Sequence, residues 1–158
     1  MAEISIAIKK SRVYTDVFRA TGYAAAKIAD TGADPGRVFA NEADRGLFEQ
    51  FWREACQAIA NEFKQFITTY TAPTDEAIDD AEVLELVLEM PSGYDTNLNT
   101  SLTNSLYSYL VNNITSKWFT IMTIQDDAAF YARQAEADAN DIRAKIYYRK
   151  KPTRPTIT

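Results

Sequence analysis

RGLFEQFWREACQAIANEFKQFITTY, residues 45–70, carries Phe48, Trp52, Ala55, Ile59, Phe63, Phe66 and Tyr70 at steps of three and four. That spacing puts a wide aromatic stripe on one face of a helix. It predicts a helix from Glu42 or Asp44 to about Tyr70, and a mainly helical protein built around it. Glu49 and Arg53 fall on the opposite side, spaced for an i,i+4 pair worth about 0.3 kcal/mol. Cys56 lies among Ala55, Ala58 and Ile59 and reads as a small core residue.

Toward the N-terminus the pattern changes period. Ile4, Ile6 and Ile8 alternate with Glu3, Ser5 and Ala7, as a short half-buried strand requires. Ser11 offers an N-cap for a first helix whose apolar face is Val13, Val17, Phe18, Ala24, Ala25 and Ile28, through about Ala29. DTGADPG, Asp30 to Gly36, breaks it.

Toward the C-terminus, TAPTDEAIDD (71–80) reads as an acidic loop. Leu84, Leu86, Leu88 and Met90 then alternate with Glu85, Val87 and Glu89, a second strand that Pro91, Ser92 and Gly93 end. The two strands are expected to pair, since either alone leaves its backbone groups unsatisfied. A third helix follows, from Asn97 or Leu98 to Met122, with a stripe of Leu98, Leu102, Leu106, Tyr109, Leu110, Ile114, Trp118 and Ile121. Its other face is Ser, Thr and Asn rather than charge, which suits burial against another protein. The last helix, about Gln125 to Tyr148, has Asp126 and Asp127 at its start and Lys145 and Arg149 to Lys151 at its end, in accord with the helix dipole. Its stripe of Ala128, Ala132, Ala135, Ala139, Ile142 and Ile146 lets a neighbouring helix come close. The expected fold is therefore a bundle of about four main helices with a two-stranded β element, residues 1–148, and an extended basic tail, residues 149–158.

Composition bounds the function. The 158 residues suffice for one core. Five Gly and five Pro are few for a sandwich or barrel. With no histidine and a single cysteine, the commonest general base and the usual zinc ligands are missing, so neither catalysis, a metal nor a cofactor is expected. Net charge is −5, against nonspecific nucleic-acid binding by the chain as a whole. MAEISIAIKKSR does not read as a secretory signal, a lone cysteine fits a reducing cytoplasm, and no apolar run reaches bilayer length.

Two motifs come to nothing. Ile28 to Asp34, IADTGAD, is similar over seven residues to the active-site segment of retroviral-type aspartic proteases, but no flap and no bracing segment accompany it; it reads as a helix C-terminus and turn. TDEAIDDAEVLE (74–85) lacks the alternation and inner Gly of a calcium loop.

The sharpest feature is a charge split. Arg143, Lys145, Arg149, Lys150, Lys151 and Arg154, interleaved with Tyr147 and Tyr148, face no acid in IRAKIYYRKKPTRP. The middle segment carries Asp75, Glu76, Asp79 and Asp80, then Glu82, Glu85 and Glu89, without one base. The basic segment reads as a nucleic-acid contact, a dipole-matched helix end with a solvated tail, or an arm for an acidic partner. On identical subunits set head to tail, the arm of one reaches the acidic segment of the next, and the contact closes a ring if the rotation permits.

Four stretches, the opening strand running into RVYTDVFRATGYAAAKI, then DRGLFEQFWREA, LELVLEMP and DIRAKIYYRKKPTRP, resemble small virion structural proteins of tailed phages and prophages of Bacteroides. The resemblance implies a head–tail connector or neck-ring subunit, non-enzymatic, made in the bacterial host cytoplasm and carried in the virion. It implies a homo-oligomeric ring touching portal, connector or tail proteins, with DNA nearby and no membrane. The alternative reading is a nucleic-acid-associated module acting through the basic C-terminal segment.

Overall fold

A computed structural model describes residues 2–32, 40, 42–71, 82–149 and 155. The elements run β1 (Glu3–Lys9), α1 (Lys10–Asp30), α2 (Arg45–Glu62), β2 (Ile67–Tyr70), β3 (Val83–Glu89), α3 (Asn99–Ile121) and α4 (Gln125–Tyr147), with 3-10 turns at Glu42–Asp44 and Thr96–Leu98 leading into α2 and α3. The fold is mainly α, four helices on a small antiparallel sheet, as the two periodicities predict.

The expected pairing of the two alternating segments is observed: β1 and β3 run antiparallel from Glu3↔Glu89 to Lys9↔Val83. Ile4, Ile6, Ile8, Leu84, Leu86 and Leu88 are all buried on the helix side, while Glu3, Ser5, Ala7, Glu85 and Glu89 face solvent. The sheet has three strands rather than two, in the order β1-β3-β2. The third comes from the end of the segment expected to be helical. α2 stops at Glu62, and Ile67–Tyr70 pairs with β3 through an irregularity between Ile67 and Thr69. The β-branched and aromatic run ITTY fits a pleated edge, and β3 needs a second neighbour. Phe66 and Tyr70, in phase with the helix stripe, satisfy that edge equally well.

α1 begins one residue earlier than its expected cap. Lys9 occupies the cap position with no side-chain bond, because β1 passes into the helix without a loop. Ser11 lies inside the first turn, where its carbonyl accepts from the Thr15 hydroxyl at 2.9 Å. At the other end Gly32, at φ +81, terminates the helix, with its N–H on the Ala29 carbonyl. Asp30 of the DTGA segment is thus the last helical residue and is exposed; residues 33–39 lie outside the described residues.

The aromatic stripe of α2 is the centre of the core. Phe48 stacks on Trp118 at 5.2 Å and meets Phe18 edge-on at 5.3 Å, geometries that the ring quadrupoles favour. Trp52, Ala55, Cys56, Ile59 and Phe63 are buried with it. Glu49 is not on the solvent side as expected. It is buried, because it follows Phe48 and precedes Trp52 by three residues.

α3 and α4 form an antiparallel pair. The Ser/Thr/Asn face of α3, read as a surface for another protein, is largely covered by α4 of the same chain. Ser105 donates to Asp141 at 2.6 Å, Ser108 and Asn112 to Asp138 at 3.0 and 2.8 Å, and Ser116 to the Ala128 carbonyl at 2.9 Å. The small residues of α4 permit the approach: Ala128, Ala135, Ile142 and Ile146 are buried, but Ala132 is exposed. In α3, Trp118 is buried as expected and Phe119 joins it. Ile121 is 46% exposed, contrary to expectation, since it closes the helix at the turn into α4, beyond the face that α2 covers.

Candidate functional site

Among the described residues, ionised groups gather in the interior at the junction of β1 and α1. Lys10 is wholly buried, and its Nζ lies 2.9 Å from Glu49 Oε2 and 3.1 Å from Glu82 Oε2. The Nζ also sits 5.8 Å from the Tyr14 ring centroid. Three segments distant in sequence meet there: the start of α1, the first turns of α2 and the residue before β3. Burial, then the Glu49 charge, push the Tyr14 phenol far above its ordinary value. Burial, reinforced by Glu82, does the same to the Cys56 thiol, so Cys56 stays a neutral thiol. Tyr70 is pushed up to about 12, chiefly by burial, with Cys56 and Glu82 adding to it. Lys10 and Glu49 are buried and Glu82 is partly exposed, each of them ion-paired, so the arrangement fastens three segments together.

Sequence reading missed this cluster, though a signal was there. Lys10 continues the Ile4, Ile6, Ile8 alternation onto the buried face, and Glu49 sits within the stripe of α2. A lysine in phase with a buried face calls for a buried carboxylate.

The basic segment is engaged with its own chain. Arg143 pairs with Glu62 across from α2 and donates to Asn140 at 2.7 Å. Lys145 pairs with Asp141 at 2.6 Å and donates to Ser105 at 2.7 Å, and these bonds, Lys145 first, hold the Asp141 carboxyl below its usual range. Tyr147 packs on Phe66 and accepts from Gln65 at 2.8 Å. Arg149 donates to the carbonyls of Ile146 and Tyr148. Its side chain passes close enough to Gly93 that a Cβ there would lie 3.0 Å from Arg149 Cδ. Tyr147 and Tyr148 nonetheless remain about half exposed. Lys150, Lys151 and Arg154, and the acidic Asp75, Glu76, Asp79 and Asp80, lie outside the described residues. Of the acids that follow, Glu82 turns inward to Lys10, while Glu85 and Glu89 stand on the exposed sheet face.

An open groove of about 400 Å³ lies between α2, α3 and α4, lined in part by Ala58, Tyr109, Asn113, Ala132 and Ala139. The Glu62–Arg143 pair spans it. Among the described residues no group of His, Cys, Asp and Glu is placed to hold a metal ion, and no helix is long and apolar enough to cross a membrane. Comparison with known protein families, with curated proteins and with solved structures finds no match.

Proposed function

We propose that the chain is a non-enzymatic structural subunit that works through contacts with other protein subunits, specifically a head–tail connector or neck-ring adaptor of a tailed-phage virion. The observation that carries this reading is the uncovered apolar surface at the two ends of the α3–α4 pair. Ile121 and Phe130 are 46% and 48% exposed at the turn end, and Tyr147 and Tyr148 are 53% and 49% exposed at the other. From Phe130 to Tyr147 the helix rises about 25 Å. Two unlike apolar ends on one rod suit a head-to-tail contact, which closes into a ring when the rotation permits. The tail residues Lys150, Lys151 and Arg154, set against Asp75, Glu76, Asp79 and Asp80 of the next copy, would add charge complementarity. Portal, connector or tail proteins would supply the outer neighbours. The ion-paired Lys10 cluster supports the non-enzymatic half of the reading. The nucleic-acid alternative draws less support, because Arg143 and Lys145 already serve Glu62 and Asp141.

Sedimentation and negative-stain microscopy of the full chain test the proposal. Closed oligomers are expected, and either Ile121→Asp with Phe130→Asp or Tyr148→Asp should abolish them while the fold persists. Oligomers indifferent to both changes, or none at any concentration even with a portal protein present, would overturn it. DNA binding that disappears on deleting residues 150–158 would establish the alternative.

A further inference from the structure

The two edges of the sheet differ. β2 is four residues long and irregular, features that blunt an edge. β1 is seven residues long, regular, free of Pro and Gly, and outermost. The N–H of Lys10 bonds the Glu82 carbonyl at 3.1 Å and the N–H of Met90 bonds the Ala2 carbonyl at 2.7 Å, so the even-numbered residues of β1 turn their backbone groups toward β3. The odd-numbered ones turn theirs outward. Unpaired among the described residues, this edge therefore presents the N–H groups of Glu3, Ser5, Ala7 and Lys9, together with the carbonyls of Glu3, Ser5 and Ala7. The Lys9 carbonyl belongs to the start of α1 as its cap.

The sequence of this edge, EISIAIK, is matched to itself when reversed. Antiparallel pairing of two copies about Ile6 sets Glu3 opposite Lys9 at both ends, Ser5 opposite Ala7, and Ile4 opposite Ile8. The outward-facing residues pair only with one another: Ser5 and Ala7 exchange both backbone bonds and the Lys9 N–H meets the Glu3 carbonyl, while the Glu3 N–H faces the Lys9 carbonyl that α1 already engages. The isoleucines stay on the helix-covered face. The pairing ends where α1 begins in each copy. It also answers a conflict within one subunit. Glu3 lies directly opposite Glu89, a like-charge pair on an exposed face with no cation beside it among the described residues, and a destabilising arrangement. Lys9 of a second copy would fall next to that pair.

We propose that two copies of this chain associate through their β1 edges, in antiparallel register centred on Ile6, into a continuous six-stranded sheet. Ile4, Ile6 and Ile8 are already buried in each subunit, so the contact gains little apolar surface. Backbone bonds and the two Glu3–Lys9 pairs carry it, and salt weakens it. The inference is independent of the head-to-tail contacts proposed above. Such a two-fold pair cannot persist in a ring whose subunits all point one way, and there it would be the form held before assembly.

Sedimentation equilibrium of the full chain over a range of concentration and salt tests this. A dimer is expected below the concentration at which closed oligomers form. Glu3→Lys and Lys9→Glu should each weaken it on the order of tenfold or more, and the two together should restore it. Ser5→Pro removes an N–H that serves no bond within the subunit, so it should give a monomer with unchanged circular dichroism. Should that variant unfold, the charge exchange alone decides. A protein monomeric up to millimolar concentration, a dimer that survives Ser5→Pro, or failure of the double exchange to restore association overturns the proposal. So does a dimer lost on deleting residues 150–158, which would make the tail the occupant of the edge.

Discussion

Lys10 at the first position of α1 and Glu49 in the second turn of α2 are joined by a 2.9 Å ion pair, with the lysine wholly buried and the carboxylate side chain 8% exposed. Removing one partner of such a pair strands the other charge, at about 3–5 kcal/mol. Lys10→Met should cost that much in urea unfolding. Adding Glu49→Leu should recover most of the loss, since Glu82, with 22% of its side chain exposed, can turn to water. A double variant no more stable than Lys10→Met would show that Glu49 is held by something other than Lys10.

The buried phenols set the alkaline limit. Tyr14 and Tyr70 are raised, both chiefly by burial, and Tyr107 is pushed up to about 12 by burial and by its bond to Asp16. In the unfolded chain these groups lose their protons near pH 10, while the folded chain still holds them. Stability is thus fully present below that value and declines as pH rises toward 12. Unfolding free energies measured from pH 8 to 11 should fall above about pH 10, and less steeply in Tyr107→Phe. An unchanged slope in that variant would remove Tyr107 from the account.

Thr123, in the turn between α3 and α4, has φ +59. A β-branched residue is strained in the left-handed region, whereas glycine adopts it freely. Thr123→Gly should raise stability by about 1 kcal/mol, read as a higher melting temperature. A lower one would mean that the 2.7 Å bond from its hydroxyl to the Met122 carbonyl outweighs the strain.

Within the core, Trp52→Ala and Phe63→Ala should each cost about 3–5 kcal/mol, and Ile121→Ala less than about 1 kcal/mol. Comparable losses at all three positions in denaturant unfolding would mean that Ile121 is covered in solution, as a subunit contact at the α3–α4 turn would cover it.

The fold was legible where one period governs a segment. Ile4-Ile6-Ile8 against Leu84-Leu86-Leu88 and the stripe from Phe48 to Phe63 each bury one face, so pattern and packing coincide. Legibility failed where two periods share residues: Phe63, Phe66 and Tyr70 satisfy a helical step and also flank or enter an edge strand, and only β3 decides between them. It failed again for polar residues buried in pairs. Lys10, Glu49 and Asp138 look like solvent-facing groups until the partner is known, and each partner lies 26 to 39 residues away. Of the expected site, Arg143, Lys145, Tyr147 and Arg149 bond within their own chain, a consequence of how closely α4 follows α3 and of the Glu62 carboxylate at the end of α2, while Tyr148 stays half exposed.

The central place of β3 has a temporal side. Ile6 pairs with Leu86, so β1 emerges from the ribosome some 80 residues before its neighbour in the sheet. At about 5–20 residues per second, its isoleucine face waits roughly 4 to 16 seconds for a partner. In that interval another nascent or freshly released copy is the nearest strand of matching pattern. Slow closure of the sheet against the rapid local zipping of α3 onto α4 follows from where one strand sits in the order.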